Sequence, residues 1–148
     1  MIEFYSEGVE MPDINKKVIR EWINRTTSLY NKKPGNISYI FVDDEGILKV
    51  NREFLNHDYY TDIITFDYTR RNTVSGDLYI SVDTVRTNAE GLKIAYKDEL
   101  NRVIIHGILH LCGINDKGPG EREIMESHEN QALKILREIN QVLPMNHL

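Results

Sequence analysis

His106 and His110 stand four residues apart in the segment His106-Gly-Ile-Leu-His110-Leu-Cys-Gly113-Ile-Asn-Asp116. On a helix that spacing sets two imidazoles roughly 40° apart around the axis and one turn apart along it, so both project from one face as a pair of metal ligands. Gly113 then ends the helix, since glycine takes the left-handed conformation that reverses the chain. Three residues on, Asp116 can swing round as a third ligand. Two histidines and one carboxylate leave a position of a tetrahedral zinc open to water, which is the catalytic rather than the structural arrangement. A bare histidine pair on a helix is more often accidental than metal-binding; the glycine and the carboxylate at these offsets are what point to a site, with one Zn2+ per chain. The zinc-protease helix carries a glutamate base directly after its first histidine. Gly107 occupies that place here, so the metal frame is present and the protease base is absent.

The elements that must hold these residues read as one α/β domain over residues 1–148: a small mixed sheet of about four strands packed with about five helices, one of them a zincin-like metal helix. Ile2 and Phe4 alternate as in a first strand. Residues 12–31 read as a helix with Pro12 near its start and Val18, Ile19, Trp22, Ile23 and Leu29 inward. Pro34-Gly35 breaks the chain, and residues 37–42 form a strand. Asp43 or Asp44 caps a short helix with Ile47, Val50 and Phe54 inward. Residues 61–68 and 78–81 are strands of an antiparallel hairpin with TRRNTVSG as a long loop. Helices follow near 83–92 and 98–112; the second carries the histidines, with Leu100, Val103, Ile104, Gly107, Ile108 and Leu111 as its apolar stripe. After Gly118-Pro119-Gly120, a last helix turns Met125, His128, Ala132, Leu136 and Ile139 to one side. Met125 packs beneath the metal site, and His128 reads as a core histidine, with a supporting partner of the metal site as the alternative. Glu99 falls on the histidine side of the metal helix and reads as a surface partner of Arg102, with a supporting carboxylate of the site as the alternative. Asp62 and Asp77, near strand starts, are carboxylates that can orient a ligand imidazole.

The chain resembles the YbeY family of bacterial endoribonucleases. The resemblance rests on HGILHLCG (residues 106–113), which matches that family's zinc motif HGxLHLxG. It extends to Asn51, the segment from Asp58 through Thr61-Asp62-Ile-Ile-Thr65 to Phe66, Gly76-Asp77, and Met125 with Glu129, over roughly the last hundred residues. It implies a cytoplasmic, zinc-dependent, single-strand-specific endoribonuclease. Such an enzyme acts in 3′-end maturation of small-subunit (16S) ribosomal RNA and in ribosome quality control, with ribosomal RNA and the small subunit as partners. The chain departs from the family in two places. Asp116 stands where the third ligand is usually histidine, which zinc tolerates because it accepts carboxylate oxygen. Leu55 stands where the family usually has a phosphate-holding arginine. His57, two residues on, is a possible replacement donor, although an exposed loop histidine is the plainer reading.

Composition sets the remaining bounds. At 148 residues, with 41% hydrophobic and 28% charged residues, the chain can bury a proper core. It has no run of eighteen apolar residues and so no expected membrane span. The first residues, MIEFYSEGVE, show no signal-peptide pattern. The single Cys112 leaves no internal disulfide, suits a reducing compartment and reads as a small buried residue. The net charge of −5 runs against a phosphate-gripping surface. The basic residues are concentrated, however: Lys16, Lys17 and Arg20 share one side of the first helix, and Arg70 and Arg71 lie in the hairpin loop. These five are the candidate RNA track, or else a solvated helix face and a polar loop. Two other functions compete with the RNA hydrolase. One is a zincin-like metallopeptidase; the other is a non-enzymatic ribosome assembly factor with a structural metal, closed by His128 or Cys112.

Overall fold

The computed structural model describes residues 1–57 and 59–146; Asp58, within the TDIITF-containing segment, lies outside the described residues. Nine elements follow in the order β1 (Ile2–Ser6), α1 (Lys16–Ser28), β2 (Lys33–Val42), α2 (Asp44–Leu55), β3 (Ile63–Asp67), β4 (Thr73–Ser81), α3 (Val82–Leu92), α4 (Tyr96–Leu111) and α5 (Glu121–Asn146). The sheet order is β1-β2-β4-β3, with β1, β2 and β4 parallel and β3 antiparallel to β4. It is the mixed four-stranded sheet with five helices that the patterning predicts.

Several boundaries differ from the sequence reading for local reasons. α1 begins at Lys16 because the Asn15 side chain caps it, accepting from the Val18 amide at 3.2 Å. Pro34-Gly35 does not break the chain before β2. Both residues lie inside the strand, at a register shift between Pro34 and Ile37 where the missing proline N–H costs no ladder bond. The hairpin loop is short rather than long: Thr73, Ser75 and Gly76 belong to β4, Tyr68 donates to the Ser75 carbonyl at 2.9 Å, and Arg71 takes φ +52 in the turn. Phe54 is not inward; it is exposed, with its ring edge-on to Phe66.

Alternation in β4 sends Val74, Gly76, Leu78 and Ile80 to one face. That side of the sheet packs against α1 and α4, on which α5 lies in turn, to form the main core. The opposite face, with Ile40, Val42, Ile64, Phe66 and Tyr79, is covered by Ile47 and Val50 of α2. Two buried hydrogen bonds fix the helices against each other and the sheet. Trp22 Nε1 donates to the Ala132 carbonyl at 2.7 Å, and the Tyr39 hydroxyl donates to the Ile104 carbonyl at 2.9 Å.

Glycines set how closely α4 lies on the hairpin. A Cβ at Gly107 would meet Leu78 Cδ2 at 2.5 Å and Ile63 Cδ1 at 2.9 Å; one at Gly76 would meet the Phe66 carbonyl oxygen at 2.5 Å and Leu111 at 3.2 Å. Gly76→Ala therefore has to push against backbone and not only side chains. It is expected to cost about 1–3 kcal/mol and to lower the thermal midpoint by several degrees. An unchanged melting curve would show that β3 and α4 have slack the packing does not suggest.

Candidate active site

α4 ends as its sequence implies. The amide of Gly113 donates to the His110 carbonyl, that of Ile114 donates to Leu109, and Gly113 takes φ +98. The following loop returns Asp116 to the helix, so that Asp116 Oδ2 lies 3.3 Å from His106 Nε2. The other ring nitrogen, Nδ1, is 2.7 Å from Glu129 Oε2 on α5. Glu129 is itself held: its Oε1 accepts from Arg102 Nη1 at 2.8 Å, and Arg102 Nη2 donates to Asn130 Oδ1 at 2.8 Å. His106 is thus fixed at both nitrogens, with an arginine–carboxylate pair behind it.

These groups open onto a cleft of about 660 Å³ that also takes in Asp62 at the start of β3 and Glu99 from the first turn of α4. Burial alone would lower the His106 pKa, but Glu129, Asp116 and Asp62 together outweigh it and hold the imidazole above its ordinary value. Glu129 shows the reverse balance: burial pushes it up, and the hydrogen bonds from His106 and Arg102 bring it below the usual carboxylate range. Burial raises Asp62, with His106 pulling the other way. Glu99 is raised by burial first and by Asp62 next.

His110 lies one turn beyond His106 and is half-buried. Among the described residues, no three His, Cys, Asp or Glu side chains are gathered into a metal cluster. The two donors brought together are His106 and Asp116. Asp77 does not join them: it sits between Gly76 and Leu78 in β4 and so faces the other side of the sheet, where it hydrogen-bonds the Tyr68 hydroxyl. His57 is exposed and stacks on Tyr59, with Nδ1 3.0 Å from that hydroxyl. None of Lys16, Lys17, Arg20, Arg70 and Arg71 lines the cleft. Arg20 instead donates to the Ile2 carbonyl and covers the Phe4 ring. His128 turns to the Tyr30 hydroxyl at 2.7 Å, and the Cys112 thiol is buried and pushed up to about 11.

The sequence reading missed two groups. The carboxylate that orients the imidazole is Glu129, not Asp62 or Asp77. A signal was present in the spacing: 125, 129, 132, 136 and 139 fit a helical stripe as well as the series through His128 does. Glu99 is not a surface partner of Arg102, because Arg102 is committed to Glu129 and Asn130.

Together the fold and site define a mixed α/β domain built around a histidine helix. The profile of the family described as Endoribonuclease YbeY matches residues 1–137, and the chain belongs to that family. Endoribonuclease YbeY of Parabacteroides distasonis is 64% identical over 137 residues, covering 93% of this chain and 96% of that protein. The protein of the same description from Bacteroides thetaiotaomicron is 64% identical over 134 residues, covering 90% and 98%. The solution structure of TM1509 from Thermotoga maritima superimposes with a TM-score of 0.65 at 25% identity, over 99% of this chain and 93% of that one.

Glu99 yields a pH-dependent prediction. Its pKa in the folded chain lies above the ordinary value of 4.5. The folded state therefore binds this proton more tightly than the unfolded state does. The stability linked to it is complete in acid and is lost as pH rises through the folded value. Glu99→Gln removes the charge and should stabilise the metal-free chain at neutral pH by about 1 kcal/mol, with the gain vanishing near pH 4. Thermal melts of both forms at the two pH values check this; an equal gain at both would mean that the charge is not the cause.

Proposed function

We propose that this chain is a zinc-dependent, single-strand-specific endoribonuclease. In this reading the metal is held by His106, His110 and Asp116, and the enzyme works in the cytoplasm on small-subunit (16S) ribosomal RNA, in 3′-end maturation and ribosome quality control. The observation that carries the metal part is the 3.3 Å between His106 Nε2 and Asp116 Oδ2. Two ligands of one tetrahedral zinc stand about 3.4 Å apart, from bonds of roughly 2.0–2.2 Å. The donor set fits as well, with nitrogen and carboxylate oxygen at hand and His110 one turn along the same helix. A divalent ion there supplies Lewis-acid polarisation of a phosphoryl oxygen and an activated nucleophile at neutral pH. The RNA-cleaving part is supported by the family and by relatives described as endoribonucleases, and the ribosomal part rests on the sequence resemblance.

The remaining roles belong to the chain's own groups. Glu129 keeps a proton on His106 Nδ1, which leaves Nε2 as the coordinating nitrogen. Arg102 holds the second oxygen of Glu129 and keeps that carboxylate from competing for the ion. Asp62, raised by burial, is a proton-holding group in the same cleft. The two side chains that could close a structural site are engaged elsewhere, His128 with Tyr30 and Cys112 in the core. This favours an open coordination position over a structural metal. Gly107 leaves a peptidase without its base.

Elemental analysis of protein purified without chelator should find about one zinc per chain, largely lost in His110→Ala and in Asp116→Ala. The zinc-loaded protein should cut single-stranded RNA and spare duplexes and peptides. Full zinc retention in Asp116→Ala would remove that residue from the site. Peptide cleavage with RNA left intact would replace this reading with the metallopeptidase.

A further inference from the structure

Among the described residues, Glu99 is the charged side chain with a buried oxygen left unpaired. It is only 6% exposed, and its Oε1 is fully enclosed without a hydrogen-bond partner. Arg102, three residues on along the helix, gives its hydrogen bonds to Glu129 and Asn130 and acts on Glu99 only through its charge. Native structures leave few buried polar atoms unpaired, and a turn of this carboxylate toward the cleft that Glu99 lines would let a ligand supply the donor. Glu99 precedes His106 by seven residues on the same helix. It therefore lies on the same face within about 20° and about 10.5 Å further along the axis, at the end of the cleft away from Asp116.

The surroundings define what fits there. Leu92 and Ile94, in and just after the last turn of α3, line this cleft while 62% and 42% exposed, and Ile63 and Met125 line it too. These are apolar walls for a flat ring. The charged groups facing the cleft are five carboxylates (Asp62, Glu99, Asp116, Glu126 and Glu129) against two arginines, Arg102 and Arg122. A phosphate is repelled from the Glu99 end, whereas a neutral group bearing N–H donors is attracted. Among nucleobases, guanine offers two parallel donors, at N1 and N2, to match the two oxygens of a carboxylate. The last torsion of a glutamate is broad, so both oxygens can turn to meet them.

We propose that the Glu99 end of the cleft is a nucleobase subsite that selects guanine, with Glu99 reading its donor edge between the apolar walls. The proposal rests on the ribonuclease reading and adds a base preference to it. Glu99 acts here as a specificity residue; the two-turn separation keeps it clear of the reacting phosphate.

Calorimetric titration of guanosine, adenosine and uridine 5′-monophosphates into the full chain tests it without requiring cleavage. The wild type should bind the guanosine nucleotide at least about tenfold more tightly than the others. Glu99→Gln should lose that preference and shift toward adenosine, because a carboxamide pairs one donor and one acceptor with adenine. The variant is expected to be the more stable form, so a loss of binding cannot be put down to unfolding. Equal binding of all three nucleotides by the wild type, or a guanine preference that survives Glu99→Gln, overturns the proposal. Mg2+ alone binding to the wild type and not to the variant also overturns it, in favour of a cation site. Cleavage of single-stranded RNA without base preference would leave the ribonuclease reading standing and remove the subsite. Glu99-dependent guanosine binding by a chain that leaves RNA intact would do the reverse.

Discussion

The hydrogen bond between His106 Nδ1 and Glu129 Oε2 is the constraint on which the site turns. It joins the histidine helix to the last helix, fixes which imidazole nitrogen faces the cleft, and sets a negative charge behind the ring. The bond is durable because Glu129 is buried and its second oxygen is taken by Arg102. Without that guanidinium, three carboxylates would face one imidazole, and Glu129 would have no compensation for leaving water. The ring is therefore oriented by the packing of α5 on α4, well before any ligand arrives.

That packing depends in turn on how closely α4 approaches the sheet. Gly76 and Gly107 remove the two Cβ atoms that would hold the helix off the β3–β4 hairpin, and the Tyr39 hydroxyl ties the Ile104 carbonyl to β2. One consequence is chemical. The residue after the first histidine faces Leu78 and Ile63, not the cleft, so a long acidic side chain there would be driven into the core. The absence of a protease-type base and the close seating of the helix are one fact seen from two sides.

Much of this was legible in the sequence. Histidine spacing, Gly113 and Asp116 are local features, and α4 with its return loop follows from them. The strand and helix order was legible for the same reason, since each element carries its own period. What failed to show was tertiary. Pro34 and Gly35 look like punctuation, yet a register shift in β2 accommodates both. Met125, Ala132, Leu136 and Ile139 define an inward stripe that either His128 or Glu129 can complete. Propensity favours burying the neutral residue, and only the cation of Arg102, from a helix 27 positions away, makes the carboxylate the better choice. The surface pairing of Glu99 fails by the same mechanism in reverse: its helical neighbour at i+3 is claimed by a distant partner, and no pattern within α4 announces that.

The charge distribution bears on how an acidic chain can handle RNA. Lys16, Lys17 and Arg20 on α1 and the arginines of the β3–β4 turn stand away from the cleft, and Arg20 is already engaged with β1. The cations that line the cleft are two arginines, of which Arg102 is tied to Glu129, and under the proposed function a divalent ion would add to them. A site of this kind gains little from the long-range electrostatics that give most nucleic-acid binders their affinity. It must rely on contacts that need an unstacked, accessible base, such as apolar walls and hydrogen-bond acceptors. A paired base presents neither its faces nor its donor edge. Under the proposed function, a preference for single-stranded substrate is the expected consequence of the cleft's own charge and lining.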